Sequence, residues 1–226
     1  MVTRVNARRL AAGLVVLSLA GCGAQDEERR QTQAIEEASA DGSRETAGSD
    51  AAEDCLLAIW ETREGAEDYG GESERAFDRD HDSASGGAIS CATSTSASQF
   101  EKTLEALRNG ATNGDRAQLL AEAGIPLLFI DNEGKATQIE DVESLETAFD
   151  QVFTTETIDK LRQIALEDMT VVPEKGGFFD LGAIWLVVPE TGGRPQLVTV
   201  NDQAAAEAAV TRARDAAEAA ERAGSE

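Results

Sequence analysis

The sequence predicts an α+β domain in which helices are followed by a hairpin, more helices and an antiparallel meander. Three observations predict it. Apolar residues recur at helical spacing in two stretches, at Phe100, Leu104 and Leu107 and again from Leu145 to Phe153. Short apolar runs bounded by turn residues recur in the second half, at residues 127–130, 169–173, 178–188 and 196–201. Both ends of the mature chain are polar and bring almost no large apolar side chain to bury.

The elements follow in order. Asp50 and Glu53 form a capping pair ahead of Cys55-Leu56-Leu57-Ala58-Ile59-Trp60, so a short helix opens the domain. Residues 64–98 are polar and rich in Gly and Ser, and they read as a long excursion. Ser98-Gln99-Phe100-Glu101 has the form of a capping box before the first helical stripe. A second helix follows Asn113, turns Leu119, Leu120 and Ala123 inward, and stops at Gly124. Ile125-Pro126 switches the period to a strand at 127–130. Asn132-Glu133-Gly134 then supplies the turn to a short partner at 136–139. Leu145, Ala148, Phe149, Val152 and Phe153 form one helical stripe, and Ile158, Leu161 and Ala165 suggest another. Strands at 169–173, 178–188 and 196–201 close the domain, the last two joined by a hairpin at Thr191-Gly192-Gly193.

The flanks look different. Residues 22–52 are dominated by Glu, Asp, Ala, Ser, Gly and Gln, with Ile35 the single large apolar residue, so they form a flexible tether with at most transient helix at 26–40. Residues 202–226 are rich in Ala, Glu and Arg, with Val210 the only larger aliphatic side chain. That tail has helix propensity and little to pack, which gives a solvated, fraying helix or else a partner-binding one.

The first 22 residues have a layout of their own. Arg4, Arg8 and Arg9 precede an uncharged apolar run at residues 10–19, and no acidic residue interrupts them. This is a secretory signal, and its apolar run is too short for a bilayer, which needs roughly 20 residues. Leu19-Ala20-Gly21-Cys22 resembles the lipobox of bacterial lipoproteins at every position. The resemblance implies that residues 1–21 are a signal peptide, cut after Gly21. It also implies that Cys22 takes a diacyl thioether and that its new amino terminus is acylated. Several acyl chains would anchor the protein at a membrane, since each buried CH₂ contributes about 0.8 kcal/mol. Gly23 rather than Asp follows the cysteine, which by the same resemblance implies an outer-membrane, periplasm-facing address in a host with two membranes.

Charge and cysteines narrow the partners. The chain of 226 residues has a formal charge of −23, and losing residues 1–21, with three of its 20 basic and none of its 43 acidic residues, leaves −26. That argues against nucleic acid or an anionic lipid surface as partner. With Cys22 lipidated, Cys55 and Cys91 remain as an even pair in an oxidising compartment, and a disulfide is the natural reading. Its loop closure would stabilise by roughly 4 kcal/mol in the chain-entropy picture. The alternative is two free buried thiols.

Three stretches then resemble a known group. They are Ile125-Pro126-Leu127-Leu128-Phe129-Ile130 with its Asn-Glu-Gly turn, Phe149-Asp150-Gln151-Val152-Phe153-Thr154, and Phe179-Asp180-Leu181-Gly182-Ala183-Ile184-Trp185 closed by Leu197-Val198-Thr199-Val200-Asn201. Together, residues 98–201 look like uncharacterised bacterial envelope proteins with an NTF2-like, cystatin-like cone. The resemblance implies a curved sheet wrapped around a long helix, often with a pocket, and no particular activity. Residues 53–97 then form a helix and a disulfide-stapled loop region ahead of it.

Candidate sites are few. Asp180 stands in an apolar stretch, and in enzymes of such a fold a carboxylate inside the cone can act as general acid or base. Regular pleating puts Asp180 on one face with Ile184 and Leu186, and a bulge at Gly182 would exchange the faces. The alternative is a solvated carboxylate at a sheet end. Trp60, Phe129, Phe149 and Trp185 could line a pocket, or simply fill the core of a chain with 4% aromatic residues. Asp78-Arg79-Asp80-His81-Asp82 begins like a calcium loop, but Ser83 and Ile89 stand where the turn Gly and the bidentate Glu belong. His81 is the only histidine, and no phosphate-binding glycine loop is present. No metal and no cofactor is predicted. Three roles stay open: a non-enzymatic binding module for an envelope protein or small ligand, an enzyme using Asp180, and an accessory subunit held through its acidic tails.

Overall fold

Helix begins earlier than the capping pair at Asp50 and Glu53 suggests. In the computed structural model, which describes residues 43–223, helix α1 runs Ser43–Arg63. It buries Leu56, Ile59, Trp60 and Arg63, one face at i, i+3, i+4 and i+7. The lipobox, Cys22 and most of the tether lie outside the described residues.

The segment read as an excursion is folded. It holds α2 (Glu72–His81), a two-residue ladder of β1 (Ser83–Ala84) with β2 (Gly87–Ala88), and α3 (Ile89–Thr93). Apolar periodicity missed these elements because their inward faces are polar. Glu74, Asp78, Asp82, Ser90 and Thr93 are buried, and each finds a hydrogen-bond partner. The Cys55 and Cys91 sulfurs are 2.06 Å apart with Cα atoms at 5.3 Å, disulfide distance, and join α1 to α3.

Helix α4 (Ala97–Asn113) is the central rod. Phe100, Leu104, Leu107 and Ala111 are fully buried along one stripe. The predicted capping box does not form. Ser96 is the cap residue, the Ser98 hydroxyl meets that of Ser96 at 2.9 Å, and Glu101 pairs with Arg108 instead. Asp78 of α2 takes the capping role from a distance, accepting the Ser98 N–H at 2.8 Å. Helix α5 (Arg116–Ala121) is capped locally by Asp115 and buries Leu119. Ala123 already belongs to β3 (Ala123–Ile130), so Gly124 is not a helix stop. A Cβ on Gly124 would meet Val198 at 2.9 Å, and the glycine is what lets the two strands approach.

β4 (Ala136–Ile139) pairs with β3 across the predicted turn. The stripe from Leu145 to Phe153 forms two short helices, α6 (Val142–Thr147) and α7 (Phe149–Val152), followed by α8 (Thr155–Gln163). β5 (Thr170–Val172), β6 (Gly176–Phe179), β7 (Ile184–Val187) and β8 (Gln196–Asn201) complete a curved six-stranded sheet, and α9 (Asp202–Ala223) ends it. The strand order is β4-β3-β8-β7-β6-β5. Every neighbouring pair is antiparallel except β3 with β8, which run parallel and weld the hairpin to the meander. The inner face of the sheet packs Phe129, Phe179, Leu186 and Val200 with the α4 stripe in one core.

One expected strand is two. Residues 178–188 reverse direction, so that Phe179 pairs with Ile184 and Phe178 with Trp185. Asp180, Leu181 and Gly182 take φ values of 51°, 57° and 93°, three left-handed residues in a row that turn the chain back. The left-handed region costs a non-glycine residue roughly 1–2 kcal/mol, and neither Asp180 nor Leu181 is glycine. Asp180 is therefore at the tip of a tight reversal, and pleating parity does not govern where it points.

Candidate functional site

The reversal at 180–182 places the Asp180 side chain between two cations. Its Oδ2 lies 3.4 Å from Lys160 Nζ, and its Oδ1 meets the Arg212 guanidinium. Helix α8 buries Thr157 and Leu161, which carries Lys160 to the edge of the core. Helix α9 buries Ala204, Ala205 and Ala208 on one stripe, and Arg212 follows one turn on. Alanines let this helix approach Ala183, which clusters with Ala204 and Ala205.

A cleft of about 550 Å³ lies among these elements. Phe179, Ile184 and Ile164 supply apolar surface, and Lys160, Asp180 and Arg212 supply charge. Exposure grades the charged side chains: Lys160 is 11% exposed, Asp180 26% and Arg212 57%. Leu181 stands at the rim, 63% exposed despite its size. Positive φ at two non-glycine residues beside a cleft is strain of the kind that collects at functional sites.

The four aromatics proposed for a pocket do not come together, and none lines this cleft. Trp60 is buried, donates its indole N–H to Asp78 Oδ2 at 2.8 Å, and lies under the guanidinium groups of Arg75 and Arg79. Phe129 and Phe149 are core residues, with Arg116 4.0 Å over the Phe149 ring. Trp185 is half-buried on the opposite face of the sheet from Ile184, stacked on Phe178 at 4.9 Å. Lys160 and Arg212 went unnoticed in the sequence. Neither lies in a motif, and Arg212 belongs to a tail expected to be solvated.

The acidic run 78–82 forms no loop. Asp78 is fully buried with both oxygens used, by Trp60 and by Ser98. Asp82 accepts the Ser90 N–H at 2.7 Å and the Ser90 hydroxyl at 2.6 Å. Burial pushes the Asp82 carboxyl above its ordinary range, against the pull of the Ser90 bonds, and the charge of Asp78 adds to the push. The His81 ring stacks on Phe77, with Nδ1 2.9 Å from the Phe77 carbonyl oxygen. Among the described residues no group of three His, Cys, Asp or Glu is arranged to hold a metal ion.

A second charged cluster sits under α1. Glu74, nearly buried, meets Arg63 at 3.3 Å, Lys102 at 3.1 Å and the Gly70 N–H at 2.8 Å. Burial pushes its carboxyl up, but the Gly70 N–H, Lys102 and Arg63 together hold it below its ordinary value. Arg63 also donates to the Gly192 carbonyl at 3.0 Å, tying α1 to the β7–β8 turn. These charges are spent on holding elements together. Gln99 Oε1 alone stays buried without a partner among the described residues.

Among the described residues no helix is long and apolar enough to cross a membrane. Compared with protein-family models, curated proteins and solved structures, the chain matches none of them.

Proposed function

We propose that this protein is a lipid-anchored binding module of the bacterial cell envelope, in which an NTF2-like domain offers the cleft beside Asp180 to a small ligand. The anchor rests on residues 1–22, where a basic start, a short apolar run and Leu19-Ala20-Gly21-Cys22 follow one another. The curved sheet around α4 supports the NTF2-like reading. The cleft carries the binding reading. Its 550 Å³ lies within the range of small-molecule sites, roughly 300–1,000 Å³, and it joins an apolar floor to a few convergent charges.

An enzyme using Asp180 is the second reading, and the position of Asp180 on the cleft favours it. A general base, however, needs a lone pair free for the proton it takes. Both Asp180 oxygens face cations, and the single histidine belongs to α2. Binding is the better fit. An accessory role through the tail is tested by deleting residues 202–226, where loss of an envelope partner would speak for it.

Two experiments decide the proposal. The full-length chain expressed in a bacterial host incorporates labelled palmitate, and Cys22→Ser abolishes incorporation; unlabelled wild-type protein would sink the anchor. A neutral fluorescent apolar probe binds the protein, and Thr211→Trp, which adds bulk to the cleft from an exposed position, weakens it at least about tenfold. Binding untouched by Thr211→Trp would place the probe elsewhere and remove the cleft from consideration.

A further inference from the structure

Within a strongly acidic chain, the cleft gathers two cations around Asp180. Lys160 is the more revealing of the two. Its ammonium is nearly buried and carries three donors, but the described residues give it one hydrogen bond, to Asp180, at 3.4 Å. A charge-assisted bond of this type is ordinarily about 2.7–2.9 Å. A desolvated ammonium held so loosely has capacity left for another acceptor. Arg212 has five N–H donors and is more than half exposed, so it too can take a second partner. Asp180 already shows the geometry, because its two oxygens are divided between the two cations.

We infer that the cleft binds an amphiphilic monoanion, a single carboxylate or equivalent head joined to an apolar body. This rests on the cleft reading above and specifies its ligand. The head joins Lys160 and Arg212 beside Asp180, and the body lies on Phe179, Ile184 and Ile164. Leu181, exposed at the rim, covers the outer end of the body. Asp168 also borders the cleft, is exposed, and gives the rim a second carboxylate. Asp180 and Asp168 already match the two cations in number, so a dianionic head meets more repulsion than a monoanionic one. The net charge of the chain works against any anion, but at physiological salt it is screened beyond about 8 Å, whereas the two cations act at contact. The same net charge repels an anionic bilayer, so the ligand is a free amphiphile and not the head of a lipid in a membrane.

The test is titration calorimetry on the full-length chain carrying Cys22→Ser, with decanoate, decanol and decylamine as probes. Decanoate binds at least about tenfold more tightly than decanol, and decylamine is weakest. Arg212→Ala and Lys160→Met each bring decanoate down to the decanol level. Decylamine binding more tightly than decanoate overturns the inference, as does decanoate binding that ignores both variants. Equal affinity for decanoate and decanol, lost in Thr211→Trp, removes the anionic head but keeps the cleft as a binding site. No binding of any probe, the neutral dye included, removes both. Cosedimentation with phosphatidylglycerol vesicles, absent with phosphatidylcholine and lost in Arg212→Ala, would replace the free ligand by a membrane surface and overturn the inference as stated.

Discussion

Asp78 and Asp180 are both carboxylates set among apolar neighbours, and the protein uses them in opposite ways. Asp78 is fully buried, and its two oxygens take the Trp60 indole and the Ser98 amide, so one side chain fastens α1, α2 and the start of α4. Asp180 is a quarter exposed and bridges two cations whose donors are mostly unspent. Complete satisfaction marks a structural polar group, and surplus capacity next to a cleft marks a site open to a ligand. Sequence context alone ranked them the other way. Asp180 stands out in its apolar run, whereas Asp78 opens a run that begins like a calcium loop without completing one.

The comparison breaks first at Asp78. Asp78→Ala orphans two buried donors at about 1–3 kcal/mol each and should lower unfolding stability by roughly 4 kcal/mol. Asp180→Ala should change it by less than about 1 kcal/mol, because its pairs reach solvent. Urea denaturation of both variants checks the pair; equal losses would erase the distinction. Replacing Cys55 and Cys91 by Ser comes next. Removing the tie between α1 and α3 should cost up to roughly 4 kcal/mol in the same assay.

A smaller effect separates two acidic neighbours by pH. Burial raises Asp82 above its ordinary value of 3.8, so folding tightens its proton. Its contribution is full below that value and is lost as pH rises through the raised one. Glu74 runs the other way. Burial pushes it up, the Gly70 N–H, Lys102 and Arg63 pull it further down, and its contribution is lost as pH falls below 4.5. Asp82→Asn keeps an acceptor for the Ser90 N–H and offers an amide to the Ser90 hydroxyl. It should flatten the decline in stability above pH 4, read from urea midpoints across the acid range. A profile unchanged by Asp82→Asn would show that Asp82 does not titrate as placed. The smallest effect is local. Arg212→Ala should speed amide exchange along residues 208–216 several-fold while the global unfolding midpoint stays within about 0.5 kcal/mol.

Much of the fold was legible. The helical stripe at Phe100, Leu104 and Leu107, the hairpin around Asn132-Glu133-Gly134, and the strand at 196–201 all lie where apolar period and turn residues put them. The element between residues 64 and 98 was not legible, because hydrophobic patterning cannot see a face whose burial is paid in hydrogen bonds. Asp180 was singled out for its odd setting, and the cleft does contain it, but Lys160 and Arg212 could not be named with it. They come from helices 20 and 32 residues away and share no motif with it.

By itself the sequence determined the α+β class, the central helix and the pairing of Cys55 with Cys91, because periodicity, turn chemistry and cysteine number are local or countable. Only the tertiary structure decided that β3 runs parallel to β8, that residues 180–182 reverse the chain, and that an alanine-faced C-terminal helix brings Arg212 to Asp180. Those outcomes depend on which surfaces meet across long stretches of chain. Contact energy between distant residues leaves no period for a sequence to show.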